Sequence, residues 1–322
     1  MKGENMISLC VVGGGRWGEN HIRTLYDMGN LVGIVDVNLE RLESLKSIYT
    51  GIKGFSSLEE AISGGFDGYV IATPAKTHVE LGRKLLEKGK NVLIEKPLAL
   101  SSKDSETLIR MSEQYGGKLM VGHQLLFHPA IIKIKELIDK GVIGKIRYIS
   151  TSRLNLGTVR QKEDVIWSFA PHDISLINYL TEQLPIETKV LGSSFLQPDI
   201  LDMANVELTY PENVKAFITV SWLYPIKEQK IIIVGDKAMI SFDDCSQEKS
   251  IFLHKKRIEM KGSCPESKNE GIEKIDYVYS QPLKNELEYF IQLISNSERM
   301  EYGRNGHEVI KLLEKITRDI KS

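Results

Sequence analysis

The chain has 322 residues, enough for two domains that each bury a core of their own. Lysine plus arginine (42) nearly balance aspartate plus glutamate (43), a net charge of −1, so no overall field would recruit nucleic acid or an anionic membrane, and any anionic ligand must be held by local groups. Cys10, Cys245 and Cys264 are odd in number and form no C-x-x-C pair, no apolar run approaches membrane-spanning length, and the N-terminus lacks a signal-peptide layout; disulfide frameworks, zinc sites and membrane spans are excluded, and a cytoplasmic, metal-free protein is expected.

Residues 7–12 form a short apolar run rich in β-branched side chains, which predicts a buried strand with Cys10 as a small core hydrophobe. Residues 1–5 add nothing to it, which leaves Met6 as an alternative start. Gly13, Gly15 and Gly18 follow in G-x-G-x-x-G spacing, and residues 19–29 read as a helix. The first glycine permits a tight turn, the second admits a pyrophosphate, and the third lets helix pack against strand. Free N–H groups at the helix start would face the phosphates. A second strand, 31–35, ends in Asp36, eighteen residues after Gly18, where a carboxylate accepts hydrogen bonds from a ribose 2′-hydroxyl. A 2′-phosphate there would meet like charge, which favours NAD over NADP.

The alternation continues with helices near 39–48, 58–62, 79–87 and 105–115 and strands near 54–55, 67–72, 91–95 and 119–121, predicting a doubly wound parallel sheet. The texture changes after about residue 122: a helix over 129–140, then strand-like runs at 145–154, 188–195, 204–209, 214–223, 230–234, 238–242 and 250–254, interrupted by a helix over 171–180. These predict an open, mostly antiparallel sheet with one solvated face. The polar residues 255–277 read as a loop, and amphipathic helices at 283–295 and 305–320 close the chain. The expected fold class is α/β, with a Rossmann domain over 1–122 and an α+β substrate and oligomerisation domain over 123–322, whose last helix is placed to pack back on the first.

In doubly wound sheets the ligand lies beyond the C-terminal strand ends. Thr73-Pro74, Glu95-Lys96-Pro97 and His123-Gln124 arrive there. Lys96 is an acid/base candidate if partly desolvated near the nicotinamide, or else a solvated lysine paired with Glu95. Pro171 suits a first helical turn, which would put His172 and Asp173 at a helix N-terminus; His172 is then either a neutral base or hydrogen-bond partner for a hydroxyl, or else a capping or core histidine with Asp173 merely satisfying the dipole.

GGGRWG with Asp36, ATPAKTH over 72–78, EKPLAL over 95–100, GHQLLFHPA over 122–130 and the histidine of WSFAPHD together resemble, in order, the glucose–fructose oxidoreductase/inositol dehydrogenase (Gfo/Idh/MocA) family along essentially the full chain. The resemblance implies NAD held by Gly13, Gly15, Arg16, Trp17, Gly18, Asp36, Thr73, Pro74, His78, Glu95, Lys96 and Gln124. It implies Lys96 near the nicotinamide and the substrate hydroxyl, and His172 as a substrate-side acid/base. Many members carry aspartate four residues before that histidine, where this chain has Ser168, so Lys96 and His172 remain the candidates for the hydroxyl proton.

RLNLG over 153–157, with Arg160 and WSFAPHD, is similar to the nucleotide-sugar branch, the UDP-N-acetylglucosamine 3-dehydrogenases, with the corresponding uronate 3-dehydrogenases close behind. That implies substrate contacts from Lys96, Arg153, Asn155, Arg160, Trp167, His172 and Asp173, the arginines meeting pyrophosphate or uronate; the alternative for either arginine is a surface pair with Glu163 or Asp164. The expected reaction is NAD-dependent oxidation of the C3 hydroxyl of a UDP-linked N-acetylhexosamine, with a pyridoxal-phosphate aminotransferase consuming the 3-keto product. A homodimer or homotetramer through the second sheet is expected. The rivals are a free-sugar or cyclitol dehydrogenase and a non-catalytic dinucleotide-sensing regulator on the same fold.

Overall fold

The computed structural model describes residues 6–295 and 302–321; the alternative start turns on residues 1–5, which lie outside the described ones. The chain divides into two compact units, Met1–Gln124 with Gln281–Lys311 and Leu125–Ser280 with Leu312–Ser322. The C-terminal return therefore begins at residue 281 and takes in a whole helix and half of the next, where the sequence reading gave 123–322 to one domain and let only the last helix return.

In the first unit, β1 (Leu9–Val12), β2 (Leu31–Val35), β3 (Lys53–Phe55), β4 (Gly68–Ile71), β5 (Asn91–Glu95) and β6 (Leu119–Gly122) pair in parallel in the order β3-β2-β1-β4-β5-β6. Helices α1 (Arg16–Asp27), α2 (Leu39–Ile48), α3 (Leu58–Ser63), α4 (His78–Leu86) and α5 (Ser102–Tyr115) connect them. This is the doubly wound dinucleotide topology. Both faces of the sheet are covered, so β1 and β4 are buried at every position, and Cys10 sits in that core with its thiol pushed up by burial. Fully burying each Val, Ile or Leu here contributes about 1.5–3 kcal/mol.

The same unit is completed by α8 (Pro282–Ser295), which packs on α1 and buries a stripe of Leu283, Leu287, Phe290 and Leu293. It also takes the start of α9 (Tyr302–Lys321), whose Gly303 and Gly306 lie against Leu119 and Val121.

The second unit holds α6 (Pro129–Asp139), α7 (Val165–Thr181) and an eight-stranded sheet made of β7 (Ile146–Leu156), β8 (Glu187–Ser193), β9 (Met203–Thr209), β10 (Lys215–Ser221), β11 (Leu223–Gly235), β12 (Met239–Asp243), β13 (Ile251–Lys261) and β14 (Cys264–Ile275). Their order is β14-β13-β12-β11-β7-β10-β9-β8, antiparallel except for the β7–β10 pair. Helix α7 packs on β7, β9 and β10, burying Ala216, Ile218 and Val220. The opposite face carries Tyr148, Leu191, Phe217 and Ile272 in exposed positions. Among the described residues no helix is long and apolar enough to cross a membrane.

Two expectations are corrected. Residues 255–277 are not a loop: most form the β13–β14 hairpin, a two-sided polar ribbon with cross-strand pairs Lys255–Glu273 (2.7 Å) and Arg257–Glu270 (2.6 Å). With neither face buried, the ribbon lacks the alternation that marks a strand. Helix α7 begins at Val165, capped by the Asp164 carboxylate accepting from the Trp167 N–H at 3.0 Å, so Pro171 is interior and His172 lies mid-helix, away from the dipole end invoked for it.

Candidate active site

The glycine loop is shaped by close approaches. Gly13 has φ +99°, and a Cβ there would meet Thr73 Cγ2 at 2.8 Å; a Cβ on Gly18 would lie 1.9 Å from the Gly13 carbonyl oxygen. Around Gly15 a Cβ would meet nothing within 4 Å, and Gly15 caps α1 without a side-chain bond to the first N–H groups. That open, donor-rich cradle fits a pyrophosphate. Arg16 and Trp17 are exposed beside it. Asp36 Oδ2 accepts from Gly14 N at 2.7 Å and Oδ1 from Asn38 N at 2.8 Å, which fixes the carboxylate at the rim of β2.

Thr73 and Pro74 stand at the end of β4, with Thr73 Oγ1 accepting from Thr77 at 2.7 Å. His78 was expected to touch cofactor, but it is buried, with Nε2 2.8 Å from the Thr73 carbonyl oxygen and Nδ1 2.8 Å from that of Pro97. Its ring ties two edge loops together instead of facing the open edge.

Glu95 is also turned inward. Its Oε1 accepts from the Trp17 indole N–H and lies 2.7 Å from His21 Nε2, and its Oε2 accepts from the Lys96 backbone N–H at 3.1 Å. Burial works to raise the Glu95 carboxyl, but the contacts from His21 and Trp17 and the charge of Lys96 outweigh it and hold it below the ordinary range. Lys96, half-buried, follows at the strand end, and Gln124 follows β6. Sequence reasoning missed His21; its position on the buried stripe Gly18-His21-Ile22-Leu25 of α1 was the available signal.

In the second unit, Arg153 pairs with Asp173, Nε to Oδ2 at 2.9 Å and Nη2 to Oδ1 at 3.4 Å, both side chains largely buried. For Arg153 this pair stands in place of the surface pairing with Glu163 or Asp164. A small cavity beside the pair is lined by Leu125, Gln229, Phe242 and Asp244. Arg160 is exposed and pairs with Glu163 at 3.3 Å. The Trp167 indole N–H donates to Thr317 Oγ1 at 2.9 Å, Asn155 Oδ1 is buried without a hydrogen-bond partner in the protein, and His172 is half-buried on α7. The structure thus gathers the glycine loop, Asp36, Thr73, Glu95 and Lys96 at one sheet edge of the first unit, and Arg153 and Asp173 in the second; Arg160 stands apart on the surface.

Residues 7–123 match the model of an oxidoreductase family with an NAD-binding Rossmann fold, and residues 131–241 match the GFO/IDH/MocA C-terminal domain. The chain belongs to the GFO/IDH/MocA oxidoreductase family. Among curated members it is 27% identical over 235 residues to a UDP-N-acetylglucosamine 3-dehydrogenase of Acidithiobacillus ferrooxidans, covering 72% of this chain and 73% of that one. It is 28% identical over 193 residues to a 2,7-anhydro-N-acetylneuraminate hydratase of Mediterraneibacter gnavus, covering 56% of this chain and 52% of that protein, about half its length. The crystal structure of the Acidithiobacillus dehydrogenase superposes with a TM-score of 0.84 at 23% identity, covering 97% of each chain. The WlbA dehydrogenase of Bordetella pertussis, solved with NADH and UDP-GlcNAcA, gives 0.79 at 21% identity over 98% of this chain and 97% of that one. NAD is the family's cofactor, and the open cradle at Gly15 fits a pyrophosphate.

Proposed function

We propose that this oxidoreductase oxidises the C3 hydroxyl of a UDP-linked N-acetylhexosamine. The observation that carries the reading is the placement of Lys96, at the C-terminal edge of the parallel sheet, with its backbone held by a carboxylate that is itself anchored from α1. An amine at that edge can accept the hydroxyl proton; His172 is the alternative acceptor. The bound dinucleotide supplies the hydride acceptor, and nothing else is needed to oxidise a secondary alcohol. The choice of a UDP-sugar is supported by the similarity to the Acidithiobacillus enzyme over 72% of the chain.

Arg153 bears on the substrate's charge. Its guanidinium is matched by Asp173, so the pair presents no net charge. That favours a neutral sugar ring over a uronate, and it also favours the second reading, a cyclitol dehydrogenase, since curated relatives include inositol dehydrogenases of Streptomyces leeuwenhoekii and Rhizobium meliloti. The deciding experiment follows NADH absorbance with UDP-N-acetylglucosamine, its uronate and myo-inositol in parallel, with an aminotransferase and amino donor drawing off any keto sugar. Turnover of the first alone supports the proposal; turnover of inositol alone replaces it with the second reading; NAD binding with none turned over refutes both.

A further inference from the structure

A buried carboxyl group of the first unit has no part in the chemistry above. Glu286 interrupts the apolar stripe of α8 and is 0% exposed, and neither of its carboxyl oxygens has a hydrogen-bond partner in the protein. Helix α8 packs on α1, whose buried face carries His21. His21 points Nε2 at Glu95, and its Nδ1 is likewise buried without a partner in the protein.

The proton inventory follows from these positions. Glu95 faces three N–H groups, from Trp17, His21 and the Lys96 backbone, the surroundings of an ionised, acceptor-only carboxylate. Glu286 has no donor facing it and feels the Glu95 charge; burial first, and Glu95 second, push its carboxyl well above the ordinary range. The other ionisable groups acting on Glu95 are Lys96 and, at the end of β6, His123, which burial holds neutral with its pKa pushed down to about 4. A neutral acid must place an O–H, and an imidazole that donates from Nε2 must fill an acceptor at Nδ1.

We propose that Glu286 is a positioning residue whose neutral carboxyl group supplies, through one bridging water, the hydrogen-bond donor for His21 Nδ1, so that His21 keeps its Nε2–H on Glu95. The buried Glu286–His21–Glu95 chain then carries a single negative charge beneath Lys96 and holds Trp17 and the Lys96 backbone in place. Its link to turnover rests on the reading of Lys96 given above; the proton inventory does not.

The test starts with infrared spectra of the cofactor-free protein at neutral pH in light and heavy water. A protonated-carboxyl C=O band that shifts with deuteration and is lost in Glu286→Gln is expected. Titration with NAD, read by protein fluorescence, should show Glu286→Gln within about threefold of the parent and Glu286→Leu weaker by about tenfold, because an amide can still donate to Nδ1 and a leucine cannot. Absence of the band, or equal impairment of Gln and Leu variants, overturns the proposal by marking Glu286 as ionised. Should Glu286→Leu fail to fold, the band and its loss in Glu286→Gln decide alone. If Lys96→Ala kept its turnover while the band persisted, the functional reading would fall and the inventory would stand.

Discussion

Asp36 places both carboxylate oxygens on main-chain N–H groups, yet each oxygen keeps lone pairs for a ribose. Asp36→Ala is therefore expected to weaken NAD by about tenfold or more, ~1.4 kcal/mol, and to narrow the preference over NADP, both measured by titration; an unchanged preference would refute its role in cofactor choice. Lys96→Ala should lower kcat by about 10²–10⁴ while NAD still binds, in the range expected for loss of a general base. Gly18→Ala forces a Cβ into the Gly13 carbonyl, a backbone atom that cannot swing aside, so NAD affinity should fall by at least about tenfold with the melting temperature lowered as well. The positions of Asp36 and Lys96 were legible because spacing alone carries them from strand and turn to sheet edge. The partner of Arg153 was not: Asp173 is twenty residues away, and the pair forms only when α7 packs on β7. Glu286 was passed over as one acid in an amphipathic helix, although its place between Leu283 and Leu287 on the apolar stripe was visible.

Among the elements, the parallel sheet was readable strand by strand because its buried strands are short apolar runs set between helical stretches. Helix α7 was misread at its start because Pro171 is a better-known signal of a first turn than Asp164, which in fact caps the helix. The second sheet has a consequence that belongs to its face. Where α7 covers one side, the other exposes Leu191 and Ile272 and pairs Tyr148 with Phe217, ring centroids 6.1 Å apart. We propose that this face joins copies of the chain. Phe217→Glu should weaken self-association by at least about tenfold, seen by light scattering as a shift toward monomer; a parent protein that is already monomeric would remove the proposal.

For the molecule as a whole, acid is the informative stress. His123 takes a proton near pH 6.5 when unfolded but only near 4 when folded, because burial disfavours its charge; between those values the unfolded chain binds more protons, so stability falls as pH falls. The difference is worth about 3 kcal/mol, and Glu286, whose folded carboxyl holds its proton longer than the unfolded one, opposes it. Denaturant unfolding of His123→Phe should accordingly lose less stability than the parent between pH 6.5 and 4. Asp202 acts lower on the scale: burial works to raise it, but N–H groups of Phe195 and Leu196 and the Trp222 indole hold it below its ordinary value, so its contribution fades only as pH drops through that depressed range. The hairpin β13–β14 ends the second sheet in a ladder of alternating charges, and the opposite edge, β8, presents Glu187 and Lys189. Neither rim offers a neutral template to an incoming strand, so charge opposes lengthening of the sheet from chain to chain and the growth of a fibre along it.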